Sequence, residues 1–276
     1  ALLPAAVWTG VAVAAFGLAH VWLNLTVPVA AGAFGGAAAV AGRLMLGEAQ
    51  RRRLAHYVPQ PLADALANTD RPAFEGRVLP AAVMFVDMVG FTARSETASP
   101  EDTVATMRRL HAELEDGAER HGGYVDSFAG DGAMLVFGVP QPRVDDATRA
   151  LACARDLLDR TARLDLPVRI GLHHGSVQVA RLGGRQQHQL TLAGDTVNLA
   201  SRLMAVAKDR GVGLAISAAT VAASTDAATT HLARMVYSAG VPIRGRQAPV
   251  DLWLGPYPAQ ARKSAGNMAG GGRPTR

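Results

Sequence analysis

The sequence predicts an α+β domain preceded by a pair of membrane-spanning helices, and two observations lead to this fold class. None of the first 42 residues is Lys, Arg, Asp or Glu, whereas the rest of the 276-residue chain carries ordinary charge. After residue 80, short apolar runs bounded by turn residues alternate with segments of helical periodicity. This contrast predicts membrane helices (1–48), a helical coupling segment and linker (49–80), an α+β domain (81–255) and a disordered tail (256–276).

The charge-free segment is about twice as long as the roughly 20 apolar residues that a bilayer-spanning helix needs. Two spans are therefore predicted, at residues 5–23 and 27–46. Three arginines at residues 51–53 follow directly, and such residues favour the cytoplasmic side of a membrane. These features predict a multi-pass protein of the cell membrane, anchored through its N-terminal helices, with the folded domain in the cytoplasm.

The alternative for this region is a signal peptide followed by a buried segment rich in alanine and glycine. No basic stretch precedes the first apolar segment, which disfavours that alternative. Apolar residues recur at helical spacing between residues 49 and 67, which predicts a helical coupling element before a polar linker. Because the chain begins at Ala1 rather than Met, we expect a further upstream segment, such as a sensor domain.

The overall charge does not predict a protein that binds nucleic acid. Lys and Arg exceed Asp and Glu by five. The three arginines at 51–53 and four basic residues after position 261 supply more than this excess, so the positive charge lies at the two edges of the domain. The single cysteine, Cys153, excludes an internal disulfide framework.

The first segment that carries chemistry is AAVMFVDMVGFT, residues 81–92. It predicts a buried strand that ends in Asp87, then a glycine-containing turn into a helix that continues past Leu110. A carboxylate at the end of a buried strand requires a cation or a donor nearby, and the turn at residues 89–92 offers backbone N–H groups to phosphate oxygens. The alternative is an aspartate that only caps the turn.

The second segment is GGYVDSFAGDGAMLVFGVP, residues 122–140, which reads as two strands joined by a tight turn around Asp131. The simple interpretation is an aspartate chosen for its turn-forming ability. If the first strand lies beside this hairpin, however, Asp87 and Asp131 come close together. Two carboxylates held in this way favour a divalent cation, which relieves their repulsion.

The third segment covers residues 168–207. It predicts a strand at 168–173, a second strand at 176–182, and a short run at 191–193 that leads through Gly194 into a helix. On that helix Asn198 and Arg202 are four residues apart and project from one face. Asparagine is disfavoured inside helices, which indicates a specific task for Asn198.

These motifs together resemble the catalytic domain of class III adenylyl and guanylyl cyclases. FVDMVGFT, the hairpin around GDGAMLVFG, RIGLHHG and GDTVNLASRL occur in the family's order and at its separations, and the resemblance extends over residues 81–254. It implies a ferredoxin-like βαββαβ fold. It also implies an enzyme that closes a nucleoside triphosphate into a 3′,5′-cyclic monophosphate with two Mg²⁺ or Mn²⁺ ions per site. The segment that begins RRRLAHYVPQ is similar to the membrane-proximal part of membrane-anchored bacterial members.

The resemblance assigns roles residue by residue. The family's metal-binding positions are matched by Asp87, the carbonyl of Met88 and Asp131. The pair that orients the ribose and stabilises the pentavalent α-phosphate is matched by Asn198 and Arg202. Because the family takes its metal aspartates from one subunit and the other groups from its partner, the single copy of each motif implies a homodimer.

Further positions contact the substrate. The expected contacts are the phosphate turn of Gly90, Phe91 and Thr92, the base-contacting Ser127 and Thr191, and Arg244 at the triphosphate, with Arg246 as the other possibility. ATP is the expected substrate. Ser127, however, stands where the family usually has a purine-binding Lys, or a Glu in guanylyl cyclases, and it carries no charge.

Three rival functions follow. Ser127 allows a guanylyl or unselective purine cyclase that uses GTP. A catalytically poor nucleotide sensor would explain the fold, but not the retention of Asp87, Asp131, Asn198 and Arg202 together. A membrane-tethered structural protein explains the fold alone. His173 and His174 are expected to be structural rather than a catalytic base.

Overall fold

The structure is a computed structural model that describes residues 7, 9–11, 13–14, 16–17, 76–183, 188–225, 229–232 and 234–258. The chain divides into two compact units, Ala1–Val58 and Pro59–Arg276. Most of the predicted coupling segment and the whole predicted tail after residue 258 lie outside the described residues.

In the first unit the structure describes only residues between 7 and 17, and these are helical. No helix of that described part is long and apolar enough to cross a membrane. The predicted multi-pass location in the cell membrane, with the domain in the cytoplasm, is therefore wrong. That prediction rested on the absence of charge, whereas a spanning helix needs sustained apolarity, which alanine and glycine supply only weakly. Most of the two predicted spans, 5–23 and 27–46, lie outside the described residues.

The second unit is built on one eight-stranded sheet. Its strands are β1 (Val78–Met88), β2 (Tyr124–Ala129), β3 (Gly132–Phe137), β4 (Val168–Gly183), β5 (His188–Ala193), β6 (Leu214–Ser217), β7 (Val236–Val241) and β8 (Val250–Gly255). The strand order is β2-β3-β1-β4-β6-β8-β7, and β5 pairs with β4. Only the β4–β6 pair among these ladders is parallel, so the sheet is mixed.

The helices of this unit are α1 (Phe91–Thr97), α2 (Pro100–Arg120), α3 (Asp146–Arg163), α4 (Asp195–Asp209), α5 (Ala218–Ala222) and α6 (Thr229–Leu232). A single helix was predicted to run from the first turn past Leu110, but the structure has two. The first ends at Thr97, with Ala98 as its C-cap. Ser99 caps the second, because its side chain accepts a hydrogen bond from Asp102 N, 3.0 Å away. Pro100 then occupies the first turn of α2, where its missing N–H costs nothing.

The first part of this unit follows a βαββαβ order. β1, the α1–α2 pair, β2, β3, α3 and β4 succeed one another, and their strands lie in the order β2-β3-β1-β4 with antiparallel neighbours. This arrangement agrees with the ferredoxin-like fold that the sequence resemblance implied, and it confirms the α+β class. The strand β1 begins at Val78, three residues before the predicted domain boundary at 81.

The sheet has two differently covered faces. Alternate residues of β1 and β3, such as Met84, Val86 and Leu135, pack in one core with the buried sides of α2 and α3. The helix α4 packs in a second cluster, in which Leu199 and Leu203 meet Ala215 of β6 and Leu252 of β8. Because Ala215 alternates with the β6 residues of the first core, α4 lies on the opposite face of the sheet.

One long strand replaces the two that were predicted around residues 174 and 175. Residues 168–178 of β4 pair with β1, and from residue 178 onward β5 takes over as the antiparallel partner. The backbone groups at Gly175 therefore have a ladder partner in Ala81 and need no turn. The glycine instead serves close packing, since a Cβ at position 175 would lie 2.7 Å from Thr196 Oγ1 of α4.

Candidate active site

Two carboxylates meet at the end of β1. Asp87 is the penultimate residue of β1, and its ladder partner on β3 is Gly132. Asp131 directly precedes Gly132, and its carbonyl accepts a hydrogen bond from Met88 N at 3.2 Å. A Cβ at position 132 would lie 2.7 Å from the carbonyl oxygen of Val86, so the close approach of the hairpin to β1 requires glycine. The structure thus brings the two predicted metal-binding aspartates together.

The carboxylate of Asp131 affects the ionisation of Asp87. Burial raises the pKa of Asp87, and the charge of Asp131 raises it further. The charges of Arg169 and Lys208 act in the opposite direction. A carboxylate that is both desolvated and repelled by another carboxylate is stabilised in its charged form by a cation.

The donor set fits a small divalent cation. Among the described residues, no group of three or more His, Cys, Asp or Glu side chains is placed to hold a metal. Mg²⁺ is usually held by only one or two carboxylates, with waters and substrate phosphates completing its shell. Asp87 and Asp131 meet that requirement, and the carbonyl of Met88 lies at the same strand end.

Arg169 is a site residue that the sequence analysis missed. It is the ladder partner of Asp87 on β4, it is buried, and its Nε lies 3.2 Å from Asp87 Oδ2. This Nε makes no hydrogen bond within the described part of the chain, so the contact is an ion pair with poor alignment. Arg169 Nη2 also donates to the Met88 carbonyl at 3.3 Å. The strand register that pairs Arg169 with Asp87 cannot be predicted from the sequence. The one feature of the sequence that could have indicated Arg169 is a charged residue within an otherwise apolar strand.

The predicted phosphate turn follows β1 directly. Gly90 has a φ of 72° and immediately precedes the first residue of α1, Phe91. Val89 N donates to the carbonyl of Pro167 at 2.8 Å, so this N–H group is already hydrogen-bonded within the domain. The N–H groups of the first helical turn, which includes Phe91 and Thr92, have no acceptor within the helix itself.

Ser127 lies on the same face of the sheet as Asp87. Its ladder partner is Met134, two residues along β3 from Gly132, the partner of Asp87. The β2–β3 register shifts between Val125 and Ser127, which marks a bulge at Asp126.

Two buried polar atoms beside Ser127 have no hydrogen-bond partner among the described residues. They are the hydroxyl of Tyr124 and Oδ2 of Asp126. Burial raises the pKa of Asp126 to about 6, and the charge of Asp126 acts together with burial to raise the pKa of Tyr124. The predicted base-contacting region therefore carries an aspartate that the sequence analysis did not single out.

The other half of the predicted site is on α4. Asn198 is exposed and Arg202 is half-buried, and their four-residue separation places them on one face of the helix. The guanidinium of Arg202 lies at Gly245 in the turn between β7 and β8, where an added Cβ would be 3.0 Å from Arg202 Nη1. This turn is on the far side of β4 and β6 from β1.

Thr191 and the paired aspartates are far apart within one chain. Thr191 pairs with Ala180, eleven residues along β4 from Arg169, the ladder partner of Asp87. Eleven residues of extended strand measure about 35 Å. The backbone of α4, by contrast, lies against Gly171, two residues from Arg169. The structure therefore joins Asp87 to Asp131 and separates both from Thr191.

The two arginines proposed for the triphosphate differ in their contacts. Arg246 Nη1 forms an ion pair with Asp195 Oδ2 at the start of α4. Arg244 is exposed on the same turn. Of the two, Arg246 is engaged within the fold, which leaves Arg244 as the better candidate for a ligand.

The paired histidines of β4 belong to a structural network. His173 Nδ1 lies 2.7 Å from Ser217 Oγ, and His174 N donates to Thr220 Oγ1 at 2.9 Å. Burial lowers the pKa of His173 to about 4, so its ring is neutral at physiological pH. Ser217 and Thr220 are buried, which agrees with the structural role expected for both histidines.

The fold and the paired aspartates define a class of protein. The chain matches the family described as the adenylate and guanylate cyclase catalytic domain over residues 76–254. The chain belongs to this family of class III nucleotidyl cyclases.

Individual relatives cover both purine substrates. An adenylate cyclase from Mycobacterium bovis is 36% identical over 157 residues, which are 54% of this chain and 35% of that protein. The uncharacterised protein Rv1319c of Mycobacterium tuberculosis is 34% identical over 194 residues, which are 68% of this chain and 35% of that protein. The crystal structure of the guanylyl cyclase Cya2 is 28% identical with a TM-score of 0.54, and the match covers 67% of this chain and 96% of that one. The chain spans about a third of the length of the curated relatives that it matches.

Proposed function

We propose that this protein is an adenylate cyclase that converts ATP to 3′,5′-cyclic AMP and pyrophosphate at the interface of a homodimer. The observation that supports it best is the separation of Thr191 from the paired aspartates. Asp87 and Asp131 share one end of the sheet, whereas Thr191 lies about 35 Å along β4 from the partner of Asp87. One nucleotide can touch both half-sites only if they come from two copies of the chain.

In each site, Asp87 and Asp131 of one subunit would hold two Mg²⁺ or Mn²⁺ ions, with the Met88 carbonyl as a further ligand. When bound, these cations supply the positive charge that makes the 3′-hydroxyl more acidic and neutralises the phosphates. The backbone N–H groups of Gly90, Phe91 and Thr92, at the start of α1, donate hydrogen bonds to phosphate oxygens. Arg169 neutralises part of the charge of Asp87 before the substrate arrives, since its Nε lies 3.2 Å from that carboxylate.

The second subunit orients the substrate and stabilises the transition state. Asn198 holds the ribose, Arg202 stabilises the pentavalent α-phosphate, and Arg244 contacts the triphosphate. The ribose 3′-oxygen forms a bond to the α-phosphorus while the bond from that phosphorus to the α–β bridging oxygen breaks. Pyrophosphate leaves with the bridging oxygen, and the hydroxyl proton passes to solvent. No protein nucleophile takes part.

The second candidate is a guanylyl or unselective cyclase, and Ser127 is the observation that favours it. A serine hydroxyl both donates and accepts, so it can pair with either purine edge. The hydroxyl of Thr191 can also both donate and accept. These two side chains therefore distinguish adenine from guanine less strongly than a charged lysine or glutamate would.

The shared site predicts complementation between two inactive variants. Asp87→Ala and Arg202→Ala should each abolish activity in a homodimer, because each removes a group that both sites need. When they are mixed, every heterodimer retains one complete site, so cyclic nucleotide formation should recover to as much as a quarter of the wild-type rate. The measurement is cyclic AMP formed from ATP with Mn²⁺ after mixing and re-association.

A matched control uses two variants from the same half-site. A mixture of Asp87→Ala and Asp131→Ala should stay inactive, because each site of that heterodimer lacks one aspartate. Recovery in this control, or no recovery in the first mixture although heterodimers form, would contradict the shared site. An inactive wild-type protein that still binds ATP analogues would instead support a nucleotide sensor.

A further inference from the structure

The turn between β7 and β8 contacts the arginine of α4. We propose that residues 243–246, hereafter the 243–246 turn, position the guanidinium of Arg202 for the α-phosphate, with Gly245 as the positioning residue. The inference rests on the proposed function of Arg202 and concerns how the fold holds this side chain.

The 243–246 turn is fixed at both of its ends. Ile243 is buried in the cluster that includes Leu199 and Leu203 of α4. Arg246 N closes the turn by donating to the carbonyl of Ile243 at 3.0 Å. The side chain of Arg246 forms an ion pair with Asp195 in the first turn of α4. Apolar packing and an ion pair therefore hold the turn against the helix.

The turn runs along the face of α4 that carries the predicted catalytic pair. Asp195, Asn198 and Arg202 have the spacing i, i+3, i+7, which places them on one side of a helix. Asp195 and Arg202 are separated by about 10 Å along the axis. The 243–246 turn contacts both ends of this row, through Arg246 at Asp195 and through Gly245 at Arg202.

Gly245 is the point of closest contact. An added Cβ would lie 3.0 Å from Nη1, 3.1 Å from Nη2 and 3.3 Å from Cζ of Arg202. The φ of Gly245 is +73°, a conformation that also favours glycine. The backbone of the turn therefore forms one wall beside the guanidinium, and it limits the rotamers of an otherwise flexible side chain. A Cβ at position 245 would therefore displace the guanidinium by a few tenths of an ångström.

The test compares two glycines of similar backbone conformation. Gly245→Ala should lower kcat by roughly 3- to 10-fold, because the guanidinium must move by a few tenths of an ångström and a full 1 Å misplacement at the reacting centre costs about 100-fold. KM for ATP should change little, since Arg202 acts on the pentavalent phosphate. Gly240→Ala is the control, because Gly240 has a φ of +62° and no atom within 4 Å of an added Cβ. It imposes the same backbone strain and should keep kcat near wild type.

A general loss of stability would lower the activity of both variants alike, and thermal unfolding of both proteins would reveal that loss. If Gly245→Ala keeps the wild-type kcat, or if the Gly240→Ala control loses as much, the positioning role is overturned. Arg246→Gln offers a second variant without backbone strain, and it should also lower kcat more than KM. An unchanged kcat in Arg246→Gln would remove the ion pair with Asp195 from the proposal.

Heterodimers separate the positioning role from the proposed function. In a dimer of one Asp87→Ala chain and one Arg202→Ala chain, the working site uses Arg202 of the first chain only. Gly245→Ala should lower activity when it is placed on that first chain and have little effect on the second. Equal effects in both placements would overturn the positioning role while leaving the shared site intact. No activity in the parent heterodimer would count against the shared site, and the two homodimeric variants would still decide the role of Gly245.

Discussion

The pKa of Asp87 is set by opposing effects of residues that are brought together by folding. Burial and the neighbouring Asp131 raise its pKa, whereas Arg169 and Lys208 lower it. Arg169 reaches Asp87 because the two are ladder partners, and Lys208 stands in the last turn of α4. The site is thus partly neutralised by cationic side chains before any metal arrives, and the remaining repulsion between the carboxylates favours a divalent cation.

The residue that decides between purines is expected to be Ser127. It lies on the Asp87 face of the sheet, at the position where the family usually carries a charged base-contacting side chain. A hydroxyl reaches less far than a lysine and does not distinguish the two purine edges by charge. We therefore expect the wild-type protein to prefer ATP over GTP less strongly than it would with a lysine at this position.

Ser127→Lys tests this expectation. A lysine donates to the adenine edge and has no acceptor for the guanine edge, so the variant should raise the ATP-to-GTP ratio of kcat/KM by about 10-fold or more. The measurement is cyclic AMP and cyclic GMP formed from competing ATP and GTP. Thr148→Lys places the same charge at a distant site on α3 and serves as the control. An unchanged ratio in Ser127→Lys would mean that this position does not face the base.

The strand β4 and the helix α4 connect the separate parts of the predicted site. β4 brings Arg169 to Asp87 at one end, and at its other end it pairs with the strand that carries Thr191. α4 crosses the same strand and approaches it most closely at Gly171, where an added Cβ would lie 2.1 Å from Met204 N. The direction of Asn198 and Arg202 therefore depends on a contact between backbone and backbone.

Gly171→Ala should destabilise this domain more than an ordinary surface substitution. The methyl group would meet the backbone of α4, which cannot rotate away as a side chain can, so we expect a loss of about 1–3 kcal/mol in the free energy of unfolding. Urea-induced unfolding measures it. Gly240→Ala adds the same methyl group in open space, so its cost is limited to the strain of a positive φ of 62°. Gly171→Ala should cost more, and an equal or smaller loss would show that the α4 contact is not tight.

The sequence was most informative where local chemistry and strand periodicity agree. The strand ending at Asp87, the hairpin around Asp131 and the helix starting after Gly194 were all predicted, and the structure has each of them. The prediction was wrong at Ser99 and at Gly175. In the first case a cap divided a helix, and in the second a neighbouring strand supplied partners that a turn would otherwise provide.

Long-range pairing explains what the sequence could not reveal. Arg169 became a site residue only through its register with Asp87, and Gly245 became important only through the folding of the 243–246 turn onto Arg202. The predicted location in the cell membrane was wrong for a different reason. It was inferred from the absence of charge, whereas no described helix is both long and apolar enough to cross a membrane.

In the proposed enzyme each copy of the domain supplies two half-sites to a dimer. The proposed metal-binding half is at the β1–β3 end of the sheet, and the other half is formed by β5, α4 and the 243–246 turn. The family to which the chain belongs includes both adenylate and guanylate cyclases. An enzyme built in this way should work only as a dimer, with two equivalent sites related by symmetry.

The dependence of specific activity on protein concentration tests this claim most directly. Cyclic nucleotide formation per milligram should fall as the protein is diluted, and it should follow the dimer fraction that sedimentation measures in the same buffer with Mn²⁺ and ATP. A specific activity that stays constant while the protein becomes monomeric would contradict the shared site.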